Sequence, residues 1–308
     1  MTTTATDPTG SPDGPDSAVV SAEPVTGERP RATRRRLGLR WWREVVYVIG
    51  FYLLYSVIRN TFGSSGTGGE AVSNAFGHGV DVIDIEKSLH LWIEPGLQRW
   101  YLDLPSHGFI RVWNIYYGTA HFVVTIAAMV LLFRREPGRY AVWRNTLAIM
   151  TAAALIGFAS FSLMPPRLLG DNGTRYGACY GHQPNCKGYD FVDTLDRYGG
   201  LWNFDSGAVA KISNQYAAMP SLHTGWSTWC AFVLFPMTRR RWLKVLIALY
   251  PVATIFGIMV TANHYWLDAV GGLVVFAIGY LPGAPLARFL DQSRARRVAR
   301  RRPPTVLA

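Results

Sequence analysis

The chain has 308 residues, with 31 Lys and Arg, 20 Asp and Glu, and a net charge of +11. Apolar residues make up 49% of it and charged residues only 17%, against about 25% charged in an average soluble domain. This depletion excludes a disordered chain, which combines low hydrophobicity with high charge, and argues against a soluble nucleic-acid binder. Three cysteines are too few for a scaffold held together by disulfides.

The N-terminal segment, residues 1–40, predicts a disordered basic tail. Residues 1–28 are rich in Thr, Pro, Gly, Ser and Asp and have no periodicity. The TRRRLGL run at 33–39 is similar to a twin-arginine signal, but no small-residue cleavage site follows the next apolar stretch. We therefore interpret these arginines as an anchor on the cytoplasmic side.

Six long apolar segments predict membrane-spanning helices, since each is close to the ~20 residues that cross a bilayer as a helix. Five contain no Asp, Glu, Lys or Arg, and the first is apolar from Val45 to Ile58. A large soluble core is the alternative, but five uncharged runs of this length are hard to place in one. The predicted spans are residues 41–60, 112–133, 145–166, 222–238, 245–263 and 269–287.

The fold class that follows is an all-α integral membrane protein, a six-transmembrane helix bundle over residues 41–287. Most Lys and Arg lie in the N-terminal tail, after the second and fourth spans, and in the C-terminal tail at 288–308. Because cytoplasmic segments carry the excess of basic residues, we expect both termini in the cytoplasm of a multi-pass cell-membrane protein. Residues 61–111 and 164–221 are then the outer segments.

In the first outer segment, residues 81–104 predict an amphipathic helix that Pro95 kinks or divides. Such a helix can lie in the membrane interface. It either forms a rim over a lipid site or packs against the span ends, and the sequence leaves both open. Its apolar positions are Val82, Ile85, Leu89, Trp92, Ile93 and Trp100, with Asp84, Glu86, Lys87 and Arg99 between them.

The second outer segment holds Cys179 and Cys186, on the side of the membrane where disulfides persist. We expect a Cys179–Cys186 disulfide. Adding His182 gives a competing metal site, which has only three ligands at irregular spacing and is disfavoured. Cys230 lies inside the fourth predicted span and is expected in the core.

Three motifs are expected at the outer membrane face: MPPR at 164–167, AMPSLH at 218–223 and HYWLD at 264–268. His264 and Asp268 are four residues apart and share one face of a helix. The carboxylate can accept from one ring nitrogen of His264, which leaves the other nitrogen as a nucleophile or base. One such pair can arise by chance, but its place at the start of an uncharged span strengthens it.

The residues from Pro220 to His223 are typical of a helix start, with proline in the first turn. The backbone N–H groups of Ser221, Leu222 and His223 would then be free to bind phosphate, with His223 as general acid. The alternative is a capped span start with an interfacial histidine. Arg167 suits either a bidentate grip on phosphate oxygens or an anchor at the headgroup level.

Together these residues provide a nucleophile, an acid and an anion clamp, which phosphoester cleavage through a phosphohistidine requires. The sequence has no DxD-type motif or His/Glu cluster suited to a metal. We therefore predict a metal-independent reaction without a cofactor.

The order PPR, PSLH and HxxxD resembles the type 2 phosphatidic acid phosphatase superfamily over roughly residues 80–285. The resemblance implies a helical bundle with His264 as nucleophile, Asp268 as its orienting partner and His223 as acid to the leaving group. The phosphate-binding positions that it implies are Arg167, Ser221 and the backbone around Leu222.

Two cationic positions of the family pattern are absent. No Lys lies six residues before Arg167, and Ile258 stands where the third signature has an Arg. The candidates to replace them are Lys211 and Arg175 in the second outer segment.

These departures, with NQYAAMPSLH at 214–223 and HYWLDAVGG at 264–272, resemble the branch that contains fungal inositol phosphorylceramide synthase and related bacterial proteins. That resemblance implies an inositolphosphotransferase-like membrane enzyme of phospholipid metabolism, which moves a phospho-headgroup from a lipid to an alcohol acceptor. We expect acceptor contacts from residues 164–220 or 81–104.

Two alternatives remain open. A phosphatase acting on a phospholipid or polyprenyl phosphate shares the first half-reaction and differs only in using water as acceptor. A lipid-binding or transport protein without turnover is the other, and intact His223, His264 and Asp268 argue against it.

Overall fold

The computed structural model describes residues 38–62, 69–170, 177–178, 189–201 and 215–300. The predicted Cys179–Cys186 disulfide and the candidate cations Lys211 and Arg175 lie outside these residues. The regular secondary structure within them is helical, and the one extended pairing there is an isolated bridge between Leu163 and Ala217. The helices are α1 (Trp41–Phe62), α2 (Gly69–Ser88), α3 (Glu94–Leu102), α4 (Ile110–Arg135), α5 (Pro137–Ser160), α6 (Thr194–Tyr198), α7 (Leu222–Leu234), α8 (Arg241–Val260) and α9 (Trp266–Arg300).

Among the described residues, four helical segments are long and apolar enough to cross a membrane. They are α4 with the 3₁₀ turn before it (Pro105–Arg135), α5, α8, and the first part of α9 (Trp266–Gly283), and they coincide with four of the predicted spans. Side chains such as Val123, Ile126 and Leu281 are more than half exposed on them, which gives an apolar surface suited to lipid. The chain is therefore an all-α membrane protein in this part.

The two remaining predicted spans are not confirmed. Helix α1 covers the first but is not among the four. The segment 222–238 forms the 13-residue helix α7 and then a 3₁₀ turn, Phe235–Met237, because Pro236 has no N–H with which to continue the helix. At 1.5 Å per residue, α7 is about 20 Å long, short of the ~30 Å hydrocarbon core.

Helix α7 is nevertheless the central helix of the bundle. It packs against α4, α5, α8 and α9, and Trp229, Cys230 and Val233 on it are fully buried. This confirms the prediction that Cys230 belongs to the core.

Glycines bring α9 into backbone contact with α5 and α7. A Cβ atom on Gly272 would lie 2.4 Å from the Ser221 carbonyl oxygen, and one on Gly279 would lie 2.5 Å from the Thr146 carbonyl oxygen. Small residues allow this close approach between membrane helices. The start of α9 is thereby held against the start of α7, and two of the sequence motifs lie at these helix starts.

The predicted helix at 81–104 is divided, as Pro95 indicated. Helix α2 ends at Ser88, and α3 begins at Glu94 with Pro95 in its first turn. The predicted pattern holds for Val82, which is buried, and for Asp84 and Lys87, which are exposed, but Glu86, assigned to the polar face, is fully buried (0% exposed). The expected apolar stripe is about half exposed instead at Ile85, Leu89, Ile93 and Trp100.

Candidate active site

The site is centred on His264, in the turn before α9, and Asp268, in the first turn of that helix. The Nδ1 atom of His264 lies 3.1 Å from Asp268 Oδ2, and both residues are buried (3% and 0% exposed). The same carboxylate oxygen accepts the Tyr265 backbone N–H at 3.0 Å. The contact expected from the four-residue spacing is therefore present, and it fixes the orientation of the imidazole.

The second ring nitrogen of His264 is not held by Asp268. Nε2 is buried and has no hydrogen-bond partner within the residues that the structure describes. With Nδ1–H donating to the carboxylate, Nε2 carries a lone pair and is available as a nucleophile or base.

The start of α7 lies directly beside this pair and differs from the expectation in one respect. Ser221 is the N-cap, and its Oγ accepts from the Thr224 N–H, so Pro220 precedes the helix rather than occupying its first turn. The Ser221 N–H was expected to be free for phosphate, but it donates to the Asp268 carbonyl oxygen at 2.9 Å. This bond ties α7 to α9 at the site.

His223, in the first turn of α7, is placed next to His264. Their ring centroids are 5.4 Å apart. Tyr117 stacks on the His223 ring at 4.3 Å, and His121 meets the same ring edge-on, also at 4.3 Å. His223 therefore lies within an aromatic cluster, half-buried beside His264.

Tyr117 and His121 were missed by the sequence analysis. Both lie on α4, four residues apart, and His121 Nδ1 bonds the Tyr117 carbonyl oxygen at 3.0 Å. A signal existed, because His121 is an ionisable residue inside an otherwise uncharged predicted span, where such residues are rare and usually functional.

Arg167 lies beside the turn that carries His264, but its guanidinium group has protein partners. Its backbone N–H donates to the Ala262 carbonyl oxygen at 2.7 Å. Nη1 lies 2.7 Å from Asp193 Oδ2, and Nη2 donates to Gln215 Oε1. The side chain is 5% exposed, so an anchor at the headgroup level is wrong. Phosphate binding by Arg167 stays a prediction.

Ile258 occupies the position where the family pattern has an arginine. It is buried in an apolar cluster with Met259 and Ala269. Its carbonyl oxygen accepts the Asn263 and His264 N–H groups at 3.0 and 3.3 Å. At this position the backbone shapes the turn before α9, while the side chain supplies packing and no charge.

Two further acidic residues, also missed, lie at the start of α9. Glu94 Oε1 accepts the Trp266 N–H at 2.7 Å, and Glu86 Oε1 accepts the Leu267 N–H at 2.8 Å. Burial, with the neighbouring Glu94 carboxylate, raises the pKa of Glu86 to about 9. Burial also raises the pKa of Glu94.

No group of three or more His, Cys, Asp or Glu in the described ranges is arranged to hold a metal ion. The chemistry available at this site is that of an oriented imidazole, a second histidine beside it and a helix N-terminus. The chain is thus a membrane protein with a buried histidine–aspartate pair, an arrangement that phosphoryl transfer through a phosphohistidine can use.

Comparison with known families gives the same class. A family model described as the PAP2 superfamily matches residues 80–281, well over half of the chain. The protein therefore belongs to the PAP2 superfamily, the type 2 phosphatidic acid phosphatase superfamily, whose members are generally phosphatases or phosphotransferases. Neither the search of curated proteins nor the search of solved structures gave a match.

Proposed function

We propose that this protein is an integral membrane phosphotransferase that cleaves a lipid phosphoester through a phosphohistidine at His264. One observation carries the proposal: His264 Nδ1 is held by Asp268, while Nε2 is buried and has no partner among the described residues. An imidazole fixed in this way presents one nucleophilic nitrogen in one direction.

In the first half-reaction, Nε2 of His264 attacks phosphorus, and the bond from phosphorus to the lipid oxygen breaks. His223 donates its proton to that leaving oxygen. Asp268 stabilises the positive charge that develops on the imidazole ring. The 5.4 Å separation of the two histidine rings supports these roles, since it leaves both within reach of one phosphoryl group.

In the second half-reaction, an alcohol oxygen attacks the phosphohistidine. His223 takes the proton of the attacking hydroxyl, and the bond between phosphorus and Nε2 breaks. The product is a new phosphoester, and both histidines return to their original protonation states.

The phosphate is proposed to bind at the start of α7, by the Leu222 N–H and the backbone that follows Ser221, with Arg167 and Lys211 as cationic partners. The Ser221 N–H itself is already bonded to the Asp268 carbonyl oxygen. The positive end of the α7 dipole supports this position. Arg167 must then exchange part of its contact with Asp193 for phosphate oxygens.

Burial of the site favours transfer over hydrolysis. His264 is 3% exposed and Asp268 is 0% exposed, and a site that excludes water preserves a phosphohistidine until a hydroxyl binds. We propose a phosphatidylinositol-like donor, in line with the resemblance to the inositol phosphorylceramide synthase branch. Hydrolysis of a lipid phosphate or polyprenyl diphosphate is the alternative, and membership of a superfamily that includes phosphatases favours it.

For the membrane arrangement we propose six spans within residues 41–287, basic cytoplasmic tails at 1–40 and 288–308, and a Cys179–Cys186 disulfide outside. Arginines stand at the end of α4, near the start of α5 and at the start of α8. The site lies at the other end of the bundle, where α5 ends and α7 and α9 begin. The positive-inside rule then supports an extracytoplasmic site in the cell membrane.

The experiment uses purified protein in liposomes with labelled phosphatidylinositol, phosphatidate or a polyprenyl diphosphate, with and without alcohol acceptors, in chelator. A new phosphodiester that depends on the acceptor is the expected product. His264→Ala should abolish turnover, whereas His107→Ala, which removes an exposed histidine, should not. Free phosphate as the sole product would establish the phosphatase alternative, and full activity of His264→Ala would refute the mechanism.

A further inference from the structure

Two glutamates outside the family motifs are buried beside the active site. Glu86 lies near the end of α2, and Glu94 is the first residue of α3; each is 0% exposed. A glutamate is rarely buried to this extent unless its charge is matched or removed. Neither glutamate takes part in the proposed chemistry, so their burial has another physical cause.

Both glutamates bind the first turn of α9. Glu94 Oε1 accepts the Trp266 N–H, and Glu86 Oε1 accepts the Leu267 N–H. A helix cannot satisfy these first N–H groups internally, and its dipole favours negative charge at this end. The two carboxyl groups therefore fix where α9 begins.

The next carboxyl group on the same turn is that of Asp268. Its Oδ2 accepts the Tyr265 N–H at 3.0 Å and lies 3.1 Å from His264 Nδ1. A displacement of this turn moves Asp268 and the ring that it holds together. The position of the proposed nucleophile thus depends on the contacts that the glutamates make.

The surroundings of the second carboxyl oxygen, Oε2, of each glutamate bear on the protonation state of the pair. Oε2 of Glu86 and Oε2 of Glu94 are buried, and no donor reaches either from the described residues. The two carboxyl groups lie side by side, because their Oε1 atoms accept from consecutive N–H groups of one turn, those of Trp266 and Leu267. Two ionised carboxylates in this position repel each other and cannot bond, since both only accept hydrogen bonds. One proton between them makes one carboxyl group a donor and satisfies both oxygens.

We propose that Glu86 and Glu94 share a single proton, and that this pair positions Asp268 and His264 by fixing the first turn of α9. The proposal rests on the proposed function, since it assigns a role in the reaction at His264. The glutamates act as positioning residues and do not touch the phosphoester.

The pair makes the site sensitive to alkaline pH. Among the described residues, the titratable groups that interact with Glu86 are Glu94 on α3, Asp268 on α9 and Tyr265 before α9, and none of these three is a basic residue. The pKa of Glu86 is raised to about 9 by burial and by these carboxylates. Above that pH the proton is lost, and the two adjacent carboxylates repel each other and release the turn. Phosphohistidine formation should therefore fall as the pH rises through about 9.

Amide substitutions separate a shared proton from simple packing. Glu86→Gln keeps an oxygen for the Leu267 N–H and supplies a permanent donor to Glu94, and Glu94→Gln does the reverse. In the double variant Glu86→Gln/Glu94→Gln, the two amide NH₂ groups face each other and neither can accept. At least one N–H group of the pair is then left without an acceptor. Asp84→Asn removes an exposed acid from the same helix, α2, and serves as the control.

We expect each single variant to keep kcat within about threefold of the wild type and to lose the alkaline decline. The double variant should lose about tenfold or more in kcat, with little change in KM. Asp84→Asn should keep both kcat and the pH profile. The positioning role would be overturned if the double variant had the same kcat as the single variants. It would also be overturned if the activity of Glu86→Gln declined at alkaline pH as that of the wild type does.

Infrared spectroscopy tests the proton without reference to activity. The wild type should show a stretching band of a protonated carboxyl group at neutral pH, which disappears above about pH 9 and is missing in both single variants. A wild type without the band overturns the shared proton.

If the wild type cleaves no phosphoester, the proposed function fails and the inference can still be judged. The infrared band then shows whether the glutamate pair holds a proton. The ¹⁵N shifts of His264 in the double variant decide whether its ring is displaced, and unchanged shifts would count against positioning.

Discussion

Replacing Asp268 by Asn tests how the imidazole of His264 is activated. The amide oxygen can still accept from Nδ1 and from the Tyr265 N–H, so the variant removes the negative charge while keeping the shape. At the 3.1 Å separation of His264 Nδ1 and Asp268 Oδ2, Coulomb's law with an effective dielectric constant of ~20 gives about 5 kcal/mol between full charges.

A nucleophilic imidazole needs a lone pair on Nε2, so in the proposed mechanism this attraction is gained only as His264 becomes cationic during the attack on phosphorus. It therefore lowers the barrier to phosphohistidine formation rather than strengthening substrate binding. Since the amide retains part of the interaction, we expect a loss of about 10²–10⁴-fold in the rate of this step.

The assay is a rapid-quench measurement of phosphoenzyme formation with labelled phospholipid in liposomes, at saturating substrate. Asp84→Asn, which also neutralises one acid, is the matched control and should react at the wild-type rate. A loss of less than about tenfold in Asp268→Asn would refute the reasoning, since His264 would then not acquire charge in the transition state.

Three further results are expected. His223→Ala should slow cleavage of an alkyl phosphoester by about 10²–10⁴-fold. It should slow cleavage of an ester with an activated leaving group much less, because that group departs without a proton. Equal losses of rate with the two substrates would exclude His223 as the acid. Gly272→Ala places a Cβ atom 2.4 Å from the Ser221 carbonyl oxygen, so it should lower the free energy of unfolding by about 1–3 kcal/mol. Gly138→Ala, a helix position with open space around it, should cause no loss in the same thermal unfolding assay. Because Glu86 binds its proton more tightly in the folded state, its contribution to the free energy of unfolding should decline as the pH rises from 4.5 to about 9; unfolding temperatures over this range should show a smaller slope in Glu86→Gln, and an unchanged slope would contradict the raised pKa.

The contacts that the sequence could predict are local ones. The contact between His264 and Asp268 follows from a spacing of four residues, and the divided helix at 81–104 follows from Pro95. Four of the spans follow from charge-free runs. In each case the relevant information lies within one or two helical turns, or within the length of one span.

The contacts that the sequence could not predict join distant segments. Arg167 carries the character of a phosphate ligand, but its partner Asp193 is 26 residues away. The N–H of Ser221 looked free because its acceptor, the Asp268 carbonyl oxygen, belongs to another helix. No local pattern encodes either pairing.

The burial of Glu86 is a case in which the helical periodicity of the sequence predicted an exposed side chain and was wrong. Its neighbours Ile85 and Leu89 suggested an apolar face with Glu86 opposite, which is correct for a helix at a water interface. Here the buried face of α2 carries Glu86 beside the apolar Val82 and Ile83, and Glu86 supplies a hydrogen-bond acceptor to the Leu267 N–H, while Ile85 is about half exposed. The need of α9 for acceptors at its first turn decides the orientation, and that need is visible only once the helices are packed.

The central claim is that His264 carries the phosphoryl group between donor and acceptor. Wild-type protein in liposomes is quenched during turnover of a phospholipid that is labelled at phosphorus. The protein is then digested, and the peptide that carries the acid-labile label is identified. The label is expected on His264, from which an alcohol acceptor should transfer it into product, and it should be absent from His264→Ala. Label on another residue, or turnover in His264→Ala without a labelled intermediate, would contradict it.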